Sequence, residues 1–177
     1  MIGLLAVTGA RPGEALGLDR ADVDLDNGVV QVRVGKKHKQ PDVPVQQSTV
    51  GALRCYAGLR DARFPTPPSP ALFLSARGRR MGREELNATF IKLIRQVGLE
   101  GVGSRARPRP YDLRHAFAVH TLIDWYRTGE NVDRRMPLLS TYLGHVDPAS
   151  TYWYLENVPE LLQLVSERLE RLPGVSS

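Results

Sequence analysis

The sequence predicts a mostly α-helical α+β domain with a small antiparallel β-sheet or hairpin, on three observations. Apolar residues recur at helical spacing in two stretches, Leu86, Phe90, Leu93, Ile94 and Val97 in one, and Leu161, Leu162, Val165, Leu169 and Leu172 in the other. An Asn27-Gly28 turn opens a run rich in β-branched residues, Val29 to Val34, and a second extended run, Val43-Pro44-Val45, follows a polar stretch. The chain has 177 residues, 42% of them hydrophobic, which suffices for one sizeable core.

The elements follow in order. Met1 to Val7 reads as the last turns of a buried helix, ending at a Thr8-Gly9 break, so the start falls inside a core helix and earlier sequence is expected to be missing. Pro12 suits the first turn of a short helix that continues through Glu14, Ala15 and Leu16. The two extended runs make a hairpin with a cationic tip between Gly35 and Asp42. A helix is expected from Ser48, as its cap, to Arg60, with Cys55 buried beside Leu53 and Leu59. Four prolines in Pro65–Pro70 forbid regular structure, and Ala71–Leu74 is a short apolar strand candidate. An Arg-rich turn leads into a helix from about Glu84 to Val97. Pro108 and Pro110 stiffen the next loop, because the residue before each is pushed out of the helical region. Further helices are expected over Tyr111 to about Tyr126, over Pro137–Leu143 with Gly144 as the cap, and over Pro159 to about Leu172, with a turn from Pro148 through Tyr154. No repeat or linker divides the chain. Its organisation reads as a domain over 1–158 and a C-terminal helix and tail over 159–177 that closes the same core or docks on a neighbouring protomer.

Charge and composition narrow the function. Lys plus Arg number 24 against 19 acidic residues, a formal charge of +5, which fits a polyanionic partner without demanding one. The basic residues cluster at Arg33-Lys36-Lys37-His38-Lys39, at Arg77-Arg79-Arg80-Arg83, and at Arg105-Arg107-Arg109 leading to Arg114. One cysteine, Cys55, excludes a disulfide within the chain and a thiolate zinc site. No apolar run approaches the ~20 residues of a membrane span and no signal peptide is visible, so a cytoplasmic protein is expected.

Singly, the candidate residues have ordinary readings. Arg11 caps a helix or pairs with Glu14, Lys36 is a solvated hairpin charge, Arg114 a helix-surface arginine, and His145 a residue following a cap glycine. Together they form an ordered set. Thr8-Gly9-Ala10-Arg11-Pro12-Gly13-Glu14-Ala15-Leu16 comes first. Gly35-Lys36-Lys37-His38-Lys39 with Val43-Pro44-Val45 is second, and Tyr111-Asp112-Leu113-Arg114-His115-Ala116-Phe117-Ala118 third. Leu143-Gly144-His145 closes the series with Thr151 and Tyr154, the tyrosine nine residues after the histidine. This series resembles the catalytic boxes of the tyrosine recombinases, or phage integrases, over nearly the whole stretch from Thr8 to Leu155.

The resemblance implies double-stranded DNA as partner and site-specific cleavage and rejoining as activity. It implies Arg11 and Arg114 as a clamp on the non-bridging phosphate oxygens, a task suited to guanidinium groups that present two donors to two oxygens. His145 would add a third donor. Tyr154 would attack phosphorus to give a 3′-phosphotyrosyl link, and Lys36 would protonate the leaving 5′-oxygen. The covalent link conserves the bond energy and cationic side chains hold the phosphate, so neither nucleotide cofactor nor metal is implied.

Two positions depart from the family pattern. Tyr111 stands where the family usually has a histidine, and a phenol does not accept a proton near neutrality as imidazole does. Pro41 stands where an arginine is common. Glu14 is expected either to support the active-site network or to form a plain salt bridge with Arg11, and Lys37, Lys39, Arg79, Arg80 and Arg107 are candidate phosphate contacts. Trp153, His115 and His120 are given structural roles, and only the family's spacing prefers Tyr154 over Tyr152 as the nucleophile. The resemblance further implies a homo-tetramer on paired DNA sites and a separate N-terminal clamping domain. Two other functions stay open: a non-catalytic DNA-binding remnant, and relaxation of DNA in the manner of a type IB topoisomerase.

Overall fold

The computed structural model describes residues 1–34, 38–39, 42–99, 107–144 and 158–170. The chain packs as two compact units, Met1–Arg114 and His115–Ser177. Among the described residues helices dominate, with small antiparallel β-pairings in the first unit, as the fold class anticipates.

In the first unit, α1 (Ile2–Thr8) ends on Gly9, whose φ of 61° and ψ of 14° lie in the left-handed region. Its amide closes the helix onto the Leu5 carbonyl at 3.0 Å. The chain reverses there and enters α2 (Pro12–Gly17), with proline at the first helical position. Leu5, Ala15, Leu16 and Leu86 bury together, and Leu113 packs against them. Leu5 is completely buried; a side chain of that size contributes about 1.5–3 kcal/mol by leaving water.

The expected Val29–Val34 strand is broken in two. β2 (Val29–Val30) lies between β1 (Val23–Asp24) and β5 (Val43–Pro44) in an antiparallel sheet, and β3 (Arg33–Val34) pairs separately with β4 (His38–Lys39). The break comes at Gln31, whose amide donates to the Asp22 carbonyl at 2.8 Å. Asp24 closes the preceding turn, accepting from the amides of Asp26 and Asn27 and from the Asn27 side chain. Those bonds, led by the Asn27 amide, hold its carboxyl below the usual aspartate value.

Helix α3 (Gln47–Arg63) starts ahead of Ser48, which sits inside its first turn rather than capping it. The amides of Thr49 and Val50 both reach the Gln46 carbonyl, so the helix winds from one residue earlier. Cys55 is exposed, against expectation, because the buried face runs Val50, Leu53, Ala57 and Arg60 and Cys55 falls off it. Ala71–Leu74 forms only single bridges, to Asp19 and Arg80. It is held instead by α3: Arg60, 7% exposed, donates to the carbonyls of Ala71 and Leu72, and the Leu74 amide donates to the Tyr56 hydroxyl. α4 (Arg83–Gln96) buries Leu86, Phe90 and Ile94, whereas Leu93 and Val97 at its far end are exposed.

In the second unit, α5 (Asp112–Arg127, counted from its first turn), α6 (Val132–Leu143) and α7 (Pro159–Glu170) supply the apolar cluster Ala118, Leu122, Ile123, Val132, Met136, Leu139, Leu143 and Leu161. α6 begins five residues before the expected Pro137 start. Asn131 caps it, accepting the Arg134 amide at 3.0 Å, and the buried Val132 and Met136 pull the first turns into the core. Gly144, at φ 60°, ends it as anticipated. Leu161 of α7 is fully buried in this core, and Leu162 is half exposed. The expected turn from Pro148 to Tyr154, and the sequence past Glu170, lie outside the described residues. No helix among the described residues is long and apolar enough to cross a membrane.

Candidate functional site

The loop between α1 and α2 carries Arg11. Its backbone is extended, at φ −67° and ψ 143°, and it precedes the first turn of α2. Glu14, one turn on, accepts the Arg11 amide at 2.7 Å through Oε2 and the Arg11 Nη1 at 2.9 Å through Oε1. Glu14 thus caps α2 through the Arg11 amide and forms an ion pair with the Arg11 guanidinium at once. The Arg11 side chain remains 36% exposed and that of Glu14 11%, so the carboxylate is covered while the arginine keeps a partly exposed side chain.

Arg114 is not a surface arginine. It is 3% exposed, and its Nη1 donates to the Gly9 carbonyl at 2.8 Å, across 105 positions of sequence. One short segment, Thr8 to Glu14, running from the end of α1 into the first turn of α2, thus anchors both arginines: one through a side-chain carboxylate, the other through a main-chain carbonyl.

Beside Arg11 opens a cleft of about 1000 Å³, lined by Arg83, Leu86, Phe90 and Ile91 of α4 and by Arg107 and Tyr111. Tyr111 is 41% exposed within it. Arg83 enters through the first residue of α4, and its Nη2 comes within 3.6 Å of where a side chain on Gly13 would begin. The motif reading placed Arg83 only in a basic run. The signal that could single it out is its place at the head of an amphipathic helix, next to Gly13 in space. Arg109 also lines the cleft, paired with Asp112 at 3.3 Å. The lining is cationic and apolar, suited to an anion with a flat or hydrophobic body.

The other candidates separate. Arg107 is exposed at the cleft and Arg79 is exposed on its turn. Arg80 is committed within the protein: Nη1 donates to the carbonyls of Leu16 and Leu18 at 2.8 and 3.1 Å, and Nη2 pairs with Asp19. It closes the carboxyl end of α2, where cations are favoured. Lys39 belongs to β4 by its backbone. Lys36, Lys37, His145 and Tyr154 lie outside the described residues, as do Tyr152 and Trp153. Among the described residues, no group of three or more His, Cys, Asp or Glu side chains is placed to hold a metal ion.

The sequence profile of the phage integrase family matches residues 1–160. The integrase/recombinase-named protein y4rB of Sinorhizobium fredii is 44% identical over 172 residues, 97% of this chain and 55% of its own length. The chain belongs to the phage integrase family. A tyrosine recombinase XerC of Azotobacter vinelandii is 33% identical over 155 residues, 87% of this chain and 46% of that protein. Among solved structures, the XerA recombinase superposes with a TM-score of 0.74 at 27% identity, over 96% of this chain and 56% of that one. The site-specific recombinase XerH, solved bound to palindromic difH substrate, shares the fold at a TM-score of 0.72 and 20% identity, over 96% of this chain and 44% of that one. This integrase-family chain therefore spans about half the length of the curated relatives it matches. The family match embraces all four boxes, from Thr8 to Tyr154, including the two that contain undescribed residues.

Proposed function

We propose that this chain is the catalytic domain of a tyrosine recombinase, which cuts and rejoins double-stranded DNA at specific sites through a 3′-phosphotyrosyl intermediate. The observation that carries this reading is the shared anchoring of Arg11 and Arg114 on the Thr8–Glu14 segment, in a chain that matches the integrase family from end to end of its boxes. Fixed guanidinium groups stabilise charge that builds on phosphoryl oxygens, because they need no reorganisation when it appears.

In this mechanism Arg11, Arg114 and His145 hold the non-bridging oxygens. The Tyr154 phenol passes its proton to His145 as its oxygen attacks phosphorus, the bond to the 5′-oxygen breaks, and Lys36 gives that oxygen its proton. Attack by a 5′-hydroxyl from a partner strand reverses the step and restores the Tyr154 phenol. Tyr111, in the cleft, offers a hydroxyl to the same phosphate region. Arg83 and Arg107 line the cleft and join Lys37, Lys39 and Arg79 as phosphate contacts, while Arg80 is occupied by the Leu16 and Leu18 carbonyls at the end of α2. A homo-tetramer on paired sites brings two duplexes together for exchange. The XerH complex, a fold relative solved on its DNA substrate, is consistent with duplex DNA as the ligand.

Covalent trapping tests this. The chain is incubated with nicked suicide substrates drawn from its own genomic neighbourhood, alone and with the rest of the y4rB relative supplied in trans, and run on denaturing gels. A protein–DNA adduct that disappears in Tyr154→Phe is the expected result. DNA binding without any adduct under both conditions would replace the recombinase with a DNA-binding remnant, and relaxation of supercoils without strand exchange would replace it with topoisomerase-like chemistry.

A further inference from the structure

We infer that Thr8 is a positioning residue for Arg114, acting through the main chain of Gly9. The inference rests on the recombinase reading above for its catalytic consequence, and on geometry alone for its structural one.

The Thr8 side chain is buried, at 4% exposure, at the end of α1. Its hydroxyl works in two directions. It donates to the Leu4 carbonyl at 2.7 Å, one turn back in the helix, and accepts the Ala10 amide at 3.3 Å, beyond the turn. A hydroxyl can donate and accept at once; a methyl of the same shape can do neither. The two bonds grip the chain on either side of Gly9, the residue that makes the left-handed reversal. The Gly9 carbonyl is the group that receives Arg114 Nη1 at 2.8 Å. Rotation of the peptide following Gly9 would swing that carbonyl away from the guanidinium, and the Ala10 amide, held on Thr8, belongs to the same peptide plane. The Thr8 hydroxyl therefore fixes the orientation of the plane that holds Arg114. Arg11, two residues beyond Gly9, is held separately by Glu14, so the Thr8 hydroxyl acts on Arg114 alone.

A plain capping role would make Thr8 matter for stability alone. Thr8→Val removes both hydrogen bonds and keeps the shape; Thr8→Ser restores both. Single-turnover adduct formation is measured at saturating DNA, with DNA affinity measured separately and the temperature held well below each variant's unfolding midpoint. Thr8→Val is expected to slow cleavage by about tenfold to a hundredfold, as small displacements of a catalytic group do. DNA affinity should change far less, and Thr8→Ser should recover most of the rate. In a double-mutant cycle with Arg114→Lys, the Thr8→Val penalty should largely vanish, because its route of action is gone. A penalty of equal size in both backgrounds, or a rate unchanged in folded Thr8→Val, would overturn the inference. A readout free of activity keeps it separate from the recombinase proposal. In ¹⁵N-arginine spectra, the slowly exchanging Nη protons assigned to Arg114 by their loss in Arg114→Lys should shift and lose protection in Thr8→Val. Unchanged Arg114 signals there would sink the inference even if the wild-type chain forms no adduct.

Discussion

Glu14 serves Arg11 twice, holding its amide at 2.7 Å and its guanidinium at 2.9 Å, and the two bonds have separable consequences. The first caps α2 and contributes of order 1 kcal/mol to stability. The second sets where the guanidinium rests before substrate arrives, which matters for rate rather than for affinity. Glu14→Ala is accordingly expected to slow adduct formation by about ten- to a hundredfold, with a modest drop in unfolding midpoint and little change in DNA affinity. Glu14→Gln keeps one acceptor oxygen and should fall between. Equal loss of rate and affinity would show Glu14 acting on DNA binding instead. The pairing of Arg11 with Glu14 was legible from their three-residue spacing before a proline-led helix. The burial of Arg114 was not: its local sequence, Leu113-Arg114-His115, gives no sign that this arginine faces inward.

Among the elements, the helices were legible to within a turn wherever a polar cap or an apolar stripe marked them, as with α4 and α5. The exceptions are instructive. Pro137 looked like a helix start, yet α6 begins at Val132, because Asn131 offers a cap and Val132 and Met136 have a core to enter. Pro137 then costs the helix one internal donor, a loss outweighed by burial on either side. Ala71–Leu74 looked like a strand and is instead a segment whose carbonyls lean on Arg60. Arg60→Met keeps the length of the side chain and leaves the Ala71 and Leu72 carbonyls buried without those donors. The variant should lose about 3 kcal/mol in urea unfolding while a variant at the exposed Arg63 loses almost nothing. A loss below about 1 kcal/mol would mean that water reaches those carbonyls.

For the molecule as a whole, a net charge of +5 is too small to explain DNA binding by itself; the placement of the arginines carries more weight. Arg83 and Arg107 line the cleft beside Arg11, whereas Arg80, adjacent in the same basic run, is spent on Leu16, Leu18 and Asp19. If Arg83 and Arg107 meet phosphates, each alanine variant should reduce the slope of log affinity against log salt by about one. Arg80→Ala should leave that slope unchanged and lower stability. A slope change in Arg80→Ala without loss of stability would return it to the DNA contacts.

Fold class and helix order could be read from the chain, because each depends on local rules: apolar spacing, proline and glycine at turns, and polar caps; the four boxes were legible through their resemblance to a known family. Partner choice for three of the chain's arginines could not be read. Arg114, Arg60 and Arg80 all bond main-chain carbonyls, and Arg114 finds its carbonyl 105 positions away. A carbonyl is chemically the same at every residue, so no residue type announces which one will accept. That choice is made when packing brings a particular turn, such as the left-handed one at Gly9, against a particular helix.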